Sequence, residues 1–384
     1  MTVSVCGFAL REKKVHLEKI KICNFRNYSP SEVELSPRLN ILCGKNGQGK
    51  TNFLEAIAFL TLGRSFRTRR DEDLIKAGEK EFYLKGKFRS SEEDLILEVG
   101  NDLSRVVVKV NGLPYKSKRE LFGRVRTVIF TPDDLQIIKG GPEKRREFLD
   151  LYLAQAYPDY RQIYLRFYRA LYQRNALLKK LREGRRDLNE LEVWTNRMVE
   201  EGSRVVLYRR QTMEEIGASL NHYHQLMSNE QETLHCLYKG SGSLPDTLDL
   251  TAIQEGFWRS LRRRSDDERR RGYTLVGPHR DDLQIQMNQR WELRVYGSQG
   301  QQRTAALALK LAMVDLIEKT QGKAPLLLLD DVFSEFDSDR KQELLRLLTV
   351  GTQTVISTTE LKTTAALAGP LKLFSVASGV ISAE

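Results

Sequence analysis

Apolar and polar residues alternate over residues 20–25, and similar short runs follow at 33–35 and 39–43. A period of two buries one face of a strand, so these segments predict three strands. At 52–62 the period changes to that of a helix. Residues 82–88, 95–99 and 105–110 return to strand patterning. The run Val106-Val107-Val108-Lys109-Val110 ends in Asn111-Gly112, two residues that tolerate positive φ, which predicts a tight hairpin. Residues 125–130 form a further apolar strand, and the loop 131–136 leaves the sheet.

From 142 to 227 no strand-like run occurs. Tyr160, Tyr164, Phe167 and Leu171 share one helical face, and Leu191, Trp194, Met198 and Val205 share another. Gly184 separates the two, and Asp187 with Glu190 makes a capping box at the start of the second. The pattern predicts two long antiparallel helices. Residues 240–245, Gly-Ser-Gly-Ser-Leu-Pro, read as a loop. A strand at 283–287, a turn at Asn288-Gln289 and a returning strand at 291–295 follow. A helix then carries Leu307, Leu311 and Val314 on one face. Pro325 precedes Leu326-Leu327-Leu328-Leu329-Asp330-Asp331, a buried strand ending in two carboxylates, and 354–356 form one more strand. The fold class is α/β, with a helical arm inserted into a sheet domain. The expected boundaries are an N-terminal extension at 1–14, the first part of the head at 15–141, the arm at 142–272 and the rest of the head at 273–384.

Composition alters this picture little. The 384 residues are 40% hydrophobic, enough for buried cores. Lysine and arginine exceed the acidic residues by 62 − 51 = 11, which suits a polyanion such as nucleic acid, an anionic membrane surface, or simply a basic exterior. Cys6, Cys23, Cys43 and Cys236 form no C-x-x-C pair or disulfide framework, which fits a reducing, cytosolic setting. His222, His224, His235 and Cys236 are too irregularly spaced to favour a metal cluster. No apolar run approaches the length of a membrane-spanning helix. The short apolar start followed by Arg11-Glu12-Lys13-Lys14 reads as a tail, not a signal peptide. Arg262-Arg263-Arg264 and Arg269-Arg270-Arg271 flank Ser265-Asp266-Asp267-Glu268, which favours a salt-bridged helix over a DNA patch.

The chemistry concentrates at Gly44-Lys45-Asn46-Gly47-Gln48-Gly49-Lys50-Thr51, which fits G-x-x-x-x-G-K-[ST] between a strand and a helix. Glycines let backbone N–H groups turn around an anion, and the helix N-terminus adds unpaired donors. Lys50 would reach the β- and γ-phosphates, and the Thr51 hydroxyl would bind Mg²⁺. A buried parallel strand would deliver Asp330 to the same edge as a Walker B residue, with Asp331 close enough to orient or deprotonate a water. The 330 − 50 = 280 residues between Lys50 and Asp330 require a long insertion, which the helices supply. The basic loop at 63–70 makes Arg64, Arg67, Arg69 and Arg70 candidates for DNA phosphate contacts.

Ser298-Gln299-Gly300-Gln301-Gln302 at a helix start resembles the ABC ATPase signature. Ser334-Glu335-Phe336-Asp337 resembles the D-loop, and Gln136 falls where the Q-loop glutamine would be. With Asn24-Phe25-Arg26-Asn27-Tyr28, Gly277-Pro278-His279-Arg280-Asp281-Asp282 and Leu329-Asp330-Asp331-Val332-Phe333-Ser334-Glu335, the chain from about Val15 onward resembles the RecF family of SMC-like ATPases of bacterial DNA replication and repair. The resemblance implies a P-loop ABC-type ATPase head, a mixed sheet with helices, carrying a short helical arm. It implies ATP and Mg²⁺ as cofactors, with Gly44 to Thr51 and Asn52 around the nucleotide. Thr51, Gln136 and Asp330 would hold the metal, and Asp331 and Gln136 would serve catalysis. Ser298, Gly300 and Gln301 would reach the nucleotide of another subunit. It further implies ATP-dependent homodimers that bind gapped, single-stranded and double-stranded DNA, and partnership with RecR and RecO in loading RecA. Family chains usually begin near Val15, so 1–14 read as an extension. Asp331 stands where ABC ATPases usually carry glutamate, and Gln299 where the signature carries glycine. Thr358 and Thr359 stand where a histidine usually follows the last strand. These departures suggest slow turnover and a switch. The competing functions are the cytosolic ATPase subunit of an ABC transporter, and a DNA-binding module with a vestigial nucleotide site.

Overall fold

In the computed structural model, residues 15–90, 93–102, 105–184, 188–228, 232–332, 352–359 and 371–384 are described. The chain divides into two compact units. One comprises Met1–Asp133 and Ile317–Glu384, and the other Asp134–Leu316.

The first unit holds two six-stranded sheets. One is antiparallel, in the spatial order Ser31–Glu34, His16–Cys23, Phe82–Arg89, Leu95–Asn101, Val106–Val110 and Leu113–Tyr115. Its strands obey the expected alternation, with Phe82, Leu84 and Phe88 buried on one face. The expected hairpin forms at Asn111 (φ 49°) and Gly112 (φ 80°).

The second sheet runs Val380–Ala383, Leu371–Ala377, Leu39–Cys43, Thr354–Thr358, Leu326–Asp330 and Thr127–Phe130. All pairs are parallel except the C-terminal hairpin. The Leu326–Asp330 strand is buried throughout, as a parallel strand covered on both faces must be. Helix Lys50–Leu62 packs against strands of both sheets and is buried from Phe53 to Leu62. That placement explains why it is apolar on nearly every side. Phe25, Phe59 and Phe82 meet edge to face in this core, with Phe25–Phe82 and Phe59–Phe82 centroids 5.3 and 5.7 Å apart.

The second unit is mainly helical. Pro158–Arg182 and the 41-residue helix Leu188–Ser228 pack together, joined by Leu250–Arg271. Helix Pro142–Ala156, the three-stranded sheet Trp291–Glu292, Asp282–Met287, Leu234–Lys239 and most of helix Gln299–Gln321 also belong to it. Residues 134–141 and 273–316 therefore pack with the helices, although the sequence pattern assigned them to the head. The pairing of Asp282–Met287 with Leu234–Lys239 holds the second of these segments there. The buried Arg174 donates to Glu268 at 2.6 Å and Arg209 to Asp150 at 2.8 Å. Glu268 thus leaves the solvated charge ladder expected of its helix, whereas Asp267 pairs with Arg264 and Arg270 as expected. The strand expected at 291–295 is only Trp291–Glu292. Leu293, fully buried, turns the chain into a short helix through Tyr296. Among the described residues no helix is long and apolar enough to cross a membrane.

Candidate nucleotide-binding site

The parallel register brings three strand ends to one edge. Asp330 pairs with Ser357, and Thr358 with Cys43, after which the glycine-rich loop begins. Carboxyl ends of parallel strands are where such sheets bind ligands. The loop leads through Gly49, at φ 119°, into helix Lys50–Leu62. A side chain would be strained there, so the motif's second glycine follows from backbone geometry.

Lys50, only 5% exposed, donates from Nζ to the carbonyls of Gly44 and Lys45 at 2.6 and 2.9 Å. Burial pushes its ammonium below its ordinary pKa, and Asp331, Cys43 and Asp330 act in the opposite sense. The Thr51 hydroxyl donates to Asp330 Oδ1 at 2.7 Å, and Ser357 Oγ donates to the same oxygen at 2.8 Å. The Asp331 N–H in turn donates to Ser357 Oγ at 2.9 Å. Burial raises the Asp330 carboxyl above its usual value, and the hydrogen bonds from Thr51 and Ser357 oppose that rise. Asp331 sits at φ 48°, a left-handed conformation that aspartate tolerates better than most residues.

The donor set fits a small divalent cation. Thr51 Oγ1 and Asp330 Oδ1 are hard oxygen ligands, 2.7 Å apart. Adjacent ligands of an octahedral Mg²⁺ lie about 3 Å apart, close to that spacing.

Beside this centre, Arg26 and the basic loop share one buried carboxylate. Glu55, fully buried, accepts from Arg26 Nε and Nη2, both at 2.8 Å, and from Ser65. Arg67 Nη1 donates to Asn52 Oδ1 at 2.8 Å and lies 3.4 Å from Glu55. Arg67, a DNA candidate in the sequence, is thus turned toward the nucleotide helix. Arg64, Arg69 and Arg70 are exposed, and Arg69 and Arg70 line an open hollow of about 390 Å³ with Arg105 and Lys118.

The remaining expected site residues lie in the helical unit. Gln136 is exposed on the short helix Leu135–Lys139. Ser298 is exposed and precedes helix Gln299–Gln321. The Ser298 N–H donates to Gln301 Oε1 at 2.7 Å, and the Gln301 N–H donates to Ser298 Oγ at 3.2 Å. That reciprocal pair is a capping box. Gln301 also donates to Glu232 at 2.6 Å, so its side chain is engaged within its own unit. Gly300 lies in the first turn, half-buried. The D-loop segment Ser334-Glu335-Phe336-Asp337 and the Asp187 cap lie outside the described residues.

Sequence reasoning gave no role to Glu55 or Ser357. Glu55 was detectable as the one carboxylate within an apolar helical run. Ser357 gains its meaning from the register with Asp330, which no local pattern carries.

The family model for the RecF/RecN/SMC N-terminal domain matches residues 16–382. A DNA replication and repair protein RecF from Halalkalibacterium halodurans is 39% identical over 345 residues, covering 90% of this chain and 93% of that protein. A solved RecF–ATP structure of the RecFOR pathway superposes with a TM-score of 0.89 at 35% identity, covering 99% of this chain and 100% of that one. An Smc head domain from Pyrococcus furiosus, at 18% identity and a TM-score of 0.57 over 96% of both chains, shares the fold. With its SMC-like ATPase head and a family match spanning nearly its whole length, the chain belongs to the RecF family.

Proposed function

We propose that this protein is an ATP-dependent DNA-binding protein of replication and recombinational repair that uses slow ATP hydrolysis as a switch. The observation that carries the reading is the Thr51–Asp330 hydrogen bond of 2.7 Å, which joins the two nucleotide motifs across 279 residues of sequence. Lys50 and the loop N–H groups would bind the phosphates, and Thr51 and Asp330 would hold Mg²⁺, while Gln136 keeps the Q-loop role that the family resemblance gives it. A Mg²⁺ held there would neutralise charge on the phosphates. Asp331 accepts a proton from the attacking water.

Ser298, Gly300 and Gln301 serve the nucleotide of a second copy, so ATP favours a homodimer. The net charge of +11 and the exposed Arg64, Arg69 and Arg70 suit gapped, single-stranded or double-stranded DNA. By family, RecR and RecO are the expected partners, RecA loading the expected outcome and the cytoplasm the setting. The domain plan is an ATPase head with an inserted helical arm. Membership of the RecF family weighs against a transporter subunit, and the engaged Lys50, Thr51 and Asp330 against a vestigial site.

A DNA titration with and without ATP tests this. Binding is expected only with ATP and should fall with salt at a slope of about −0.9 per duplex phosphate contacted. Affinity independent of both ATP and salt would refute the reading.

A further inference from the structure

The Asn24-Phe25-Arg26-Asn27-Tyr28 segment lies beside the glycine-rich loop. Asn27 Nδ2 donates to the Gln48 carbonyl at 3.0 Å. The same carbonyl accepts from the Gly379 N–H at 2.9 Å. Gly379 belongs to the tight turn Ser378-Gly379, with φ values of 50° and 76°, between strands Leu371–Ala377 and Val380–Ala383. The parallel register Ser375↔Cys43 carries that turn to the loop following Cys43. Ser378 N also donates to Gln48 Oε1 at 2.7 Å.

We infer that Asn27 and the Ser378-Gly379 turn clamp the outer wall of the phosphate loop and thereby aim the Gly49 N–H into the anion cradle. This inference rests on the reading of that loop as a nucleotide-phosphate site. No peptide bond among the described residues is cis, and a trans peptide sets its N–H antiparallel to its C=O. Two donors hold the Gln48 carbonyl from one side, so the Gly49 N–H faces the other. Tyr28 OH donates to the Gly49 carbonyl at 3.1 Å, which fixes the next peptide as well.

The clamp is itself aligned. Asn52 Nδ2 donates to Asn27 Oδ1 at 2.8 Å, which leaves the Asn27 amide nitrogen directed at Gln48. The fit is close on both sides. A Cβ on Gly49 would lie 2.8 Å from Asn27 Nδ2, and one on Gly379 would lie 2.2 Å from the Asn27 carbonyl. A loop whose donors are preset spends less binding energy on ordering itself around phosphate. Asn27 and Gly379 are therefore positioning residues, with no contact to the reacting atoms.

The test uses the full chain with Asn27→Ala, Gly379→Ala and the double variant. ATP and ADP affinities, steady-state hydrolysis and melting temperatures are measured. Asn27→Ala should weaken ATP and ADP alike by about five- to tenfold, the effect of one lost hydrogen bond in a partly buried site, and Gly379→Ala, whose Cβ would meet the Asn27 carbonyl at 2.2 Å and push the turn off the Gln48 carbonyl, should weaken both by a similar factor. KM for ATP should rise by the same factor while kcat at saturating ATP holds, because ground and transition states use the cradle equally. The double variant should lose less than the product of the two, since both act on one carbonyl. Should either single variant fail to fold, the other carries the test alone. Wild-type ADP affinity with only a lowered melting temperature would overturn the clamp. So would a fall in kcat at unchanged KM, or fully multiplicative losses. Lys50→Ala in the same titration keeps the two readings apart. If it binds nucleotide normally, the phosphate-site reading fails; if it loses binding while Asn27→Ala retains it, only the clamp fails.

Discussion

The glycine-rich loop and the Ser298 turn both end in a helix N-terminus, where unpaired N–H groups favour anions. The chain finishes them differently. At the first, a buried lysine donates to two loop carbonyls at 2.6 and 2.9 Å, and a threonine hydroxyl and Ser357 donate to a buried aspartate at 2.7 and 2.8 Å. At the second, Ser298 is exposed, and its hydroxyl and N–H are satisfied by Gln301 alone. One cradle brings its own cation and carboxylates. The other brings a capped helix end, with Gln301 bonded to Glu232. The two differ in assembly: the first is built from distant segments of sequence, the second is local and outward-facing.

The largest expected effect tests whether the first cradle carries the chemistry. Asp331→Asn keeps shape and hydrogen bonding, and asparagine tolerates the left-handed φ of 48°. It cannot take a proton, so single-turnover hydrolysis should slow by at least about 100-fold with ATP binding retained. Unchanged turnover would remove Asp331 from the chemistry.

Next in size is Lys50→Ala, which removes a charge-assisted contact to phosphate. ATP affinity should fall about 100-fold, near 3 kcal/mol, measured with a fluorescent nucleotide. Its melting temperature should change little, since the lysine bonds only loop carbonyls. Wild-type affinity would break the comparison at its stronger side.

The smallest effect is Gln301→Ala. Removing half of the capping box should cost about 1 kcal/mol of stability by denaturant melts, with ATP affinity of the single chain unaltered. A larger drop in that affinity would mean the second cradle serves the chain's own nucleotide.

The fold was legible where burial and backbone geometry act locally. The Leu39–Cys43 strand and the four-leucine strand announce themselves because a strand covered on both faces is continuously apolar. The loop was legible because its φ values demand glycine. The roles of Asn27 and Ser378-Gly379 were not, since their hydrogen bonds to Gln48 span 21 and 330 residues. Glu268 looked like a surface charge because its partner, Arg174, lies 94 residues away. The strand expected at 291–295 failed because burying Leu293 outweighed a short edge pairing.

The claim that the second cradle is completed by another copy is tested most directly by light scattering. The wild-type protein and Ser298→Arg are compared with a slowly hydrolysed ATP analogue. Arginine at this exposed N-cap places bulk where a γ-phosphate must approach backbone. The account predicts an ATP-dependent dimer for the wild type and a nucleotide-bound monomer for Ser298→Arg. A normal ATP-induced dimer of Ser298→Arg would contradict it.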